Sequence, residues 1–190
     1  MKRDRDLPGV PMPPLAVAQL DIRSIQDADQ HLAVIHEAAA RVHAWIMAHE
    51  GSPLELLRSM KFESVGFHPA SGASLNLIEQ INQTWTYLVA NAAARQLLEW
   101  YPDVGGFHLA PGAHAALPFD IVSADGTVVA ETFAAVTPAN NGKLRKDLDK
   151  LASRPNIEHR YVFFMAPGYP GILRRETLER DGVQVWSVDV

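Results

Sequence analysis

The sequence predicts an α/β domain whose mixed central sheet is covered by helices on both sides. Three observations carry that expectation. Residues 117–133 hold two apolar, β-branched runs on either side of Asp125-Gly126, a pair that marks a tight hairpin turn. Residues 160–166, Arg-Tyr-Val-Phe-Phe-Met-Ala, form a nearly continuous apolar run, as a strand buried on both faces requires. A helical segment rich in lysine separates the two. A hairpin joined through a helix to an inner strand gives a mixed sheet that needs cover on both faces.

The remaining elements follow in chain order. Residues 1–22 hold four of the 13 prolines and predict an extended arm. Residues 24–50 predict a long helix, capped by Ser24 with Asp27 closing a capping-box-like start. Its apolar positions Ile25, Ala28, Leu32, Ile35, Ala39, Val42 and Ile46 make a narrow heptad stripe, suited to one partner helix within the chain or across a homodimer. The same helix carries His31, His36, His43 and His49, whose spacing misses that of a helical metal site and predicts solvated side chains. Gly51-Ser-Pro ends it, and a short helix is expected over 54–60. Residues 61–73 read as loop, and 74–100 as a second long helix with the stripe Ile78, Ile81, Trp85, Leu88 and Ala92. A short strand at 107–110 precedes the hairpin. A third helix is expected from Asn140 or Asn141 to about residue 153, with Leu144, Leu148 and Leu151 buried. A short helix over 172–180 and a strand over 183–190 complete the chain. Two units are expected: an arm with its long helix over 1–60, and an α/β domain over 61–190.

Composition narrows the function. The 190 residues are 47% hydrophobic and 21% charged, enough to bury a core. Without cysteine there is no disulfide, thiolate-bound zinc or thiol nucleophile, which fits a cytoplasmic setting. No signal peptide or membrane span is expected. Neither a phosphate-cradling glycine loop followed by Lys-Ser/Thr nor a Gly-x-Ser-x-Gly elbow occurs. The formal net charge is −5, yet residues 143–175 carry eight basic side chains against three acidic ones, a local +5 that leaves −10 elsewhere. That asymmetry suits a confined contact with a phosphate backbone.

The hairpin holds the candidate chemistry. With Asp125 and Gly126 as its two loop residues, Asp120 falls opposite Glu131 and Phe133 opposite Pro118. Opposed side chains share a face, with Cβ atoms roughly 4.5–5.5 Å apart. Two carboxylates so placed repel unless a cation or a shared proton lies between them. His108 and His114 lie nearby in sequence. Used for acid–base work alone, the pair would also suit an enzyme of another class.

Over roughly residues 74–166 the order of elements and the placement of acids resemble the PD-(D/E)XK nuclease superfamily. That resemblance implies a restriction-endonuclease-like fold and a site binding Mg2+ or Mn2+ for phosphodiester hydrolysis. Glu79 matches the glutamate of the family's first helix, Asp120 (after Pro118) its second-strand aspartate, and Glu131 the acid of its acid-x-lysine triplet. Asp120, Glu131 and Glu79 are then the implied metal ligands, with Gln83 as an auxiliary residue. The triplet reads Glu131-Thr132-Phe133, so phenylalanine stands where the family has lysine. The resemblance suggests a lysine relocated to the following helix, where Lys143 is the candidate and Asp147 its competing partner four residues on. Arg145, Lys146, Lys150 and Arg154 are the candidate nucleic-acid contacts, with DNA favoured over RNA. A nuclease is the leading expectation, and a catalytically inactive module of the same fold, binding nucleic acid or protein, is the alternative.

Overall fold

The computed structural model describes residues 20–111 and 117–190. The arm expected at the N-terminus therefore falls, over residues 1–19, outside the described residues, as does His114. A seven-stranded mixed sheet forms the centre, flanked by helices on both faces. In chain order its strands are β1 (Leu20–Ile22), β4 (Phe107–Leu109), β5 (Ile121–Ser123), β6 (Val128–Ala134), β7 (His159–Met165), β8 (Leu173–Arg174) and β9 (Gln184–Ser187). Across the sheet they run β1-β4-β5-β6-β7-β9-β8, with β6–β7 and β7–β9 parallel and the other pairs antiparallel. Strands β2 (Gly66–Phe67) and β3 (Ser74–Leu75) form a separate small hairpin.

Three layers result. Helices α1 (Ile25–Met47) and α3 (Leu77–Trp100) cover one face, where Ile22, Ala28, Val89, Ala93, Leu97, Phe107, Ile121, Ala130 and Phe163 form one core. Helix α4 (Lys143–Ala152) covers the other, packing Leu144, Leu148 and Leu151 on Val129, Phe133, Val162 and Phe164. Successive residues of a strand alternate between faces, so Val129, Glu131 and Phe133 all look toward α4. Strands β6 and β7 are thus buried on both sides, with Glu131 and Thr132 the polar residues of β6 inside.

Helix α1 begins as expected, with the Ser24 hydroxyl accepting from Asp27 N–H, and its buried line of Ala28, His31, Ile35, Ala38 and Val42 faces α3. The heptad seam is therefore occupied within the chain. It runs through Ala38 and not Ala39, which is exposed. His31, expected in solvent, is 5% exposed: its Nδ1 lies 3.2 Å from Asn91 Nδ2 and its ring meets the edge of Tyr87. Because β1 pairs with β4 and Ile22 is fully buried, residues 20–47 share the core of the sheet. Gly106 permits that approach. It sits at φ 104°, and a Cβ there would lie 2.9 Å from Ile22 O.

Several expectations are corrected. Helix α2 spans Pro53–Phe62 behind a capping box of Ser52 and Glu55. The loop expected over 61–73 is shortened by β2, and β3 and the Asn76 cap delay α3 to Leu77. On α3, Ile78, Ile81 and Trp85 are exposed, and the buried line runs through Leu77, Gln80, Tyr87 and Asn91 instead. No helix spans 172–180; β8 and a 3-10 turn over Glu176–Leu178 stand there. No helix among the described residues is long and apolar enough to cross a membrane.

Candidate active site

The β5–β6 hairpin aims the chemistry. Its register, Ile121 opposite Ala130 and Val122 opposite Val129, is the one the sequence predicts, and continued by one rung it sets Asp120 across from Glu131. The turn differs. Ser123 accepts from Gly126 N–H, so Ala124 and Asp125 are the central turn residues of a four-residue loop, and Asp125 Oδ1 accepts from Thr127 N–H and from the Ser123 and Thr127 hydroxyls. Lengthening the loop by one residue on each strand leaves the register intact.

Beyond the last paired rung, the Asp120 carboxylate continues the ladder. Its Oδ2 accepts from Thr132 N–H at 2.8 Å and from the Thr132 hydroxyl at 3.1 Å. Asp120 is 7% exposed and Glu131 2%. Burial pushes the Asp120 carboxyl upward, against the Thr132 hydrogen bonds and the charges of Lys143 and Lys150. Glu131 is pushed up to about 7, first by burial and then by the Asp120 charge, with Lys150 opposing.

Helix α4 supplies the counter-charges. A 3-10 turn over Asn140–Gly142 leads into it, with Asn141 and Gly142 both left-handed at φ 53° and 63°, a bend that Gly142 takes without strain. The bend starts the helix at Lys143. Lys150 Nζ donates to Glu131 Oε1 at 2.5 Å, and Lys143 Nζ lies 3.9 Å from Glu131 Oε2 and 2.6 Å from Asp147 Oδ1. The two fates foreseen for Lys143 therefore hold together: it pairs with Asp147 and also reaches Glu131. Burial works to lower the Lys143 pKa, yet the Asp147, Asp120 and Glu131 charges hold it above its ordinary value. Asp147 is buried, its Oδ2 has no hydrogen-bond partner, and burial raises its carboxyl to about 6 against the pull of Lys143.

Phe133 takes no part in this charge cluster. It is buried, stacks on Phe164 with ring centroids 5.7 Å apart, and belongs to the core beneath α4. A reading of the sequence misses Asp147 as a site residue, naming it only as a competing partner of Lys143, and it gives Lys150 to nucleic acid where the structure pairs it with Glu131. The signal was present: 143, 147 and 150 step by four and three, one residue ahead of the buried line 144, 148, 151, so they share an edge of the face turned to the sheet.

A cleft of about 830 Å3 opens here, between the first half of α3 and the start of α4, at the C-terminal ends of β6 and β7. Asp120, Glu131, Lys143, Lys146 and Lys150 line it, with Asn82, Trp85 and Thr86 from α3. Glu79 and Gln83 do not. Glu79 is exposed in the first turn of α3, its N–H donating to the Asn76 side chain, and Gln83 is half-buried with Oε1 unpartnered. Arg145 on α4 and Arg154, just beyond its end, are exposed. His108 lies away from the cleft, its Nδ1 2.7 Å from Asp21 Oδ1.

Among the described residues no three histidine or carboxylate side chains are gathered tightly enough to hold a metal ion by themselves. Two buried carboxylates on one face do fit the protein's share of a magnesium site, because that ion keeps several waters and completes its shell with substrate phosphate. No protein-family model, curated protein or solved structure matches the chain.

Proposed function

We propose that the protein is a divalent-metal-dependent nuclease of restriction-endonuclease-like architecture, with DNA as the favoured substrate. The run α3, β4, β5, β6, α4, β7 supports the architecture, since it is the helix, three-strand meander, helix and parallel strand that the resemblance implies. The observation that carries the activity is the meeting of Asp120 and Glu131 at the cleft with two lysines from α4, where Phe133 leaves the strand without one.

Asp120 and Glu131 would hold Mg2+ or Mn2+, which supplies Lewis-acid polarisation of the phosphate and an activated water when bound. The chain's own groups do the rest. Thr132 fixes the Asp120 carboxylate through two hydrogen bonds, so one ligand is set in place before any ion arrives. Lys143 is held by Asp147 within reach of Glu131, where an ammonium can steady charge growing on a phosphoryl oxygen. Lys150 is paired with Glu131 Oε1 and must turn aside from it for both Glu131 oxygens to be offered to an ion.

The test is cleavage of end-labelled nucleic acid in Mg2+ or Mn2+, with an EDTA control. Asp120→Asn and Glu131→Gln are each expected to lower the rate about 100-fold or more, the scale of removing one charge-stabilising group. Full activity in both variants would sink the site assignment. A second reading, an inactive module of the same fold, is favoured by one feature: Lys150 closes on Glu131 while Phe133 fills the lysine's usual place. Nucleic-acid binding without ion uptake in calorimetry would decide for it.

A further inference from the structure

Trp85 differs from the other tryptophans in its surroundings. Trp100 packs among Tyr161, Phe163 and Trp186, and Trp45 lies beside His49. Trp85 is 41% exposed, joins none of the three apolar cores and lines the cleft. Ile81 and Ile78, one and two turns earlier on α3, are exposed too and extend its apolar face. Around the same cleft stand three amides, Asn82, Asn140 and Asn141, and the ammonium of Lys146, which has no ion pair among the described residues.

The carboxylates lie deep. Asp120 and Glu131 are nearly covered, so a phosphate must enter between α3 and α4 to reach them. A duplex is stiff over some 150 base pairs and holds its bases inside the stack. An unpaired strand can turn one phosphate inward while its neighbouring base lies on an aromatic face. The cleft volume of about 830 Å3 falls in the range that encloses a compact ligand, which suits a nucleotide-sized segment and not a duplex.

We infer that the substrate is single-stranded nucleic acid, with Trp85 as the stacking platform for the base beside the bound phosphate. Lys146 receives a flanking phosphate, and the three asparagines meet base edges. Arg145 on the exposed side of α4 and Arg154 just beyond its end, neither with an ion pair among the described residues, carry the strand away from the cleft, a charge complement in a chain that is acidic overall. The inference rests on the nuclease reading.

The experiment measures binding of the full chain to a fluorescein-labelled oligothymidine of about ten nucleotides and to a mixed-sequence duplex, by anisotropy in EDTA so that nothing is cut. The single strand is expected to bind at least about 10-fold more tightly than the duplex. Trp85→Ala is expected to weaken it about 5- to 150-fold, the worth of one base–aromatic stack, while Trp85→Phe keeps most of the affinity. Circular dichroism checks that the exposed substitution leaves the fold intact. Equal or tighter duplex binding, or a Trp85→Ala variant that binds like the parent, overturns the inference. The nuclease reading would survive that result if Asp120→Asn still abolished cleavage of duplex. Absence of binding to either probe overturns the inference, and absence of metal-dependent cleavage as well overturns both.

Discussion

At Glu131 several influences act on one proton. Burial and then the Asp120 and Asp147 charges favour keeping it, and Lys150 favours losing it, with the former prevailing at about 7 against an ordinary 4.5. A carboxyl raised in the folded state lends stability below its unfolded pKa, and that stability fades as pH rises toward the folded value. His31 acts in the opposite sense. Burial lowers it from 6.5 to about 4, so the fold loses stability as pH falls through that window. The two trends overlap and partly cancel. In EDTA, urea midpoints measured across pH 4.5 to 7 should therefore rise more steeply with pH in Glu131→Gln than in the parent, and less steeply in His31→Phe. Parallel profiles for all three proteins would refute both assignments. The Asp120–Glu131 pairing was legible because strand side chains have a period of two and the register survived a longer turn. His31 was not, since its neutral ring is buried by Asn91 and Tyr87, which lie some sixty residues away in sequence.

Helix α4 shows how much one element can reveal. Its leucine line was plain in the sequence because the other faces are charged, and all three leucines are buried. Leu151 has no exposed surface and packs in the core beneath the helix, so Leu151→Ala should lower unfolding free energy by about 2–5 kcal/mol in urea titrations. Helix α3 was harder. It buries Gln80, Tyr87 and Asn91 and leaves Ile78, Ile81 and Trp85 outside, so hydrophobicity picked the wrong stripe at its start. Gln80 is inside because it serves as a strut, accepting from Phe67 N–H and donating to Ala38 O. Its carbonyl also satisfies β2, an element too short for any periodic signal. The turn over 176–178 and β8 were misread as helix for the same reason: two paired residues cannot announce themselves.

At the scale of the molecule the sequence predicted a mixed sheet with helical cover on both faces, and the structure has it. Of the unit expected over 1–60, one strand and one helix pack into the core of the sheet. The field is local in spite of a net charge of −5. Three cations in and just after α4, Arg145, Lys146 and Arg154, have no ion pair among the described residues and should give single-strand binding a log–log salt slope of about −2, and Lys146→Ala should shallow it by about 0.7. A salt-independent affinity would contradict that footprint. The connection from β6 through α4 to β7 has a further consequence, and it concerns time. Asp120, Glu131, Lys143, Asp147 and Lys150 belong to one unbroken stretch, so their contacts close only short loops and lose little chain entropy. The ionic heart of the cleft can thus assemble early in folding, while the aromatic wall contributed by α3 waits for the layers to dock.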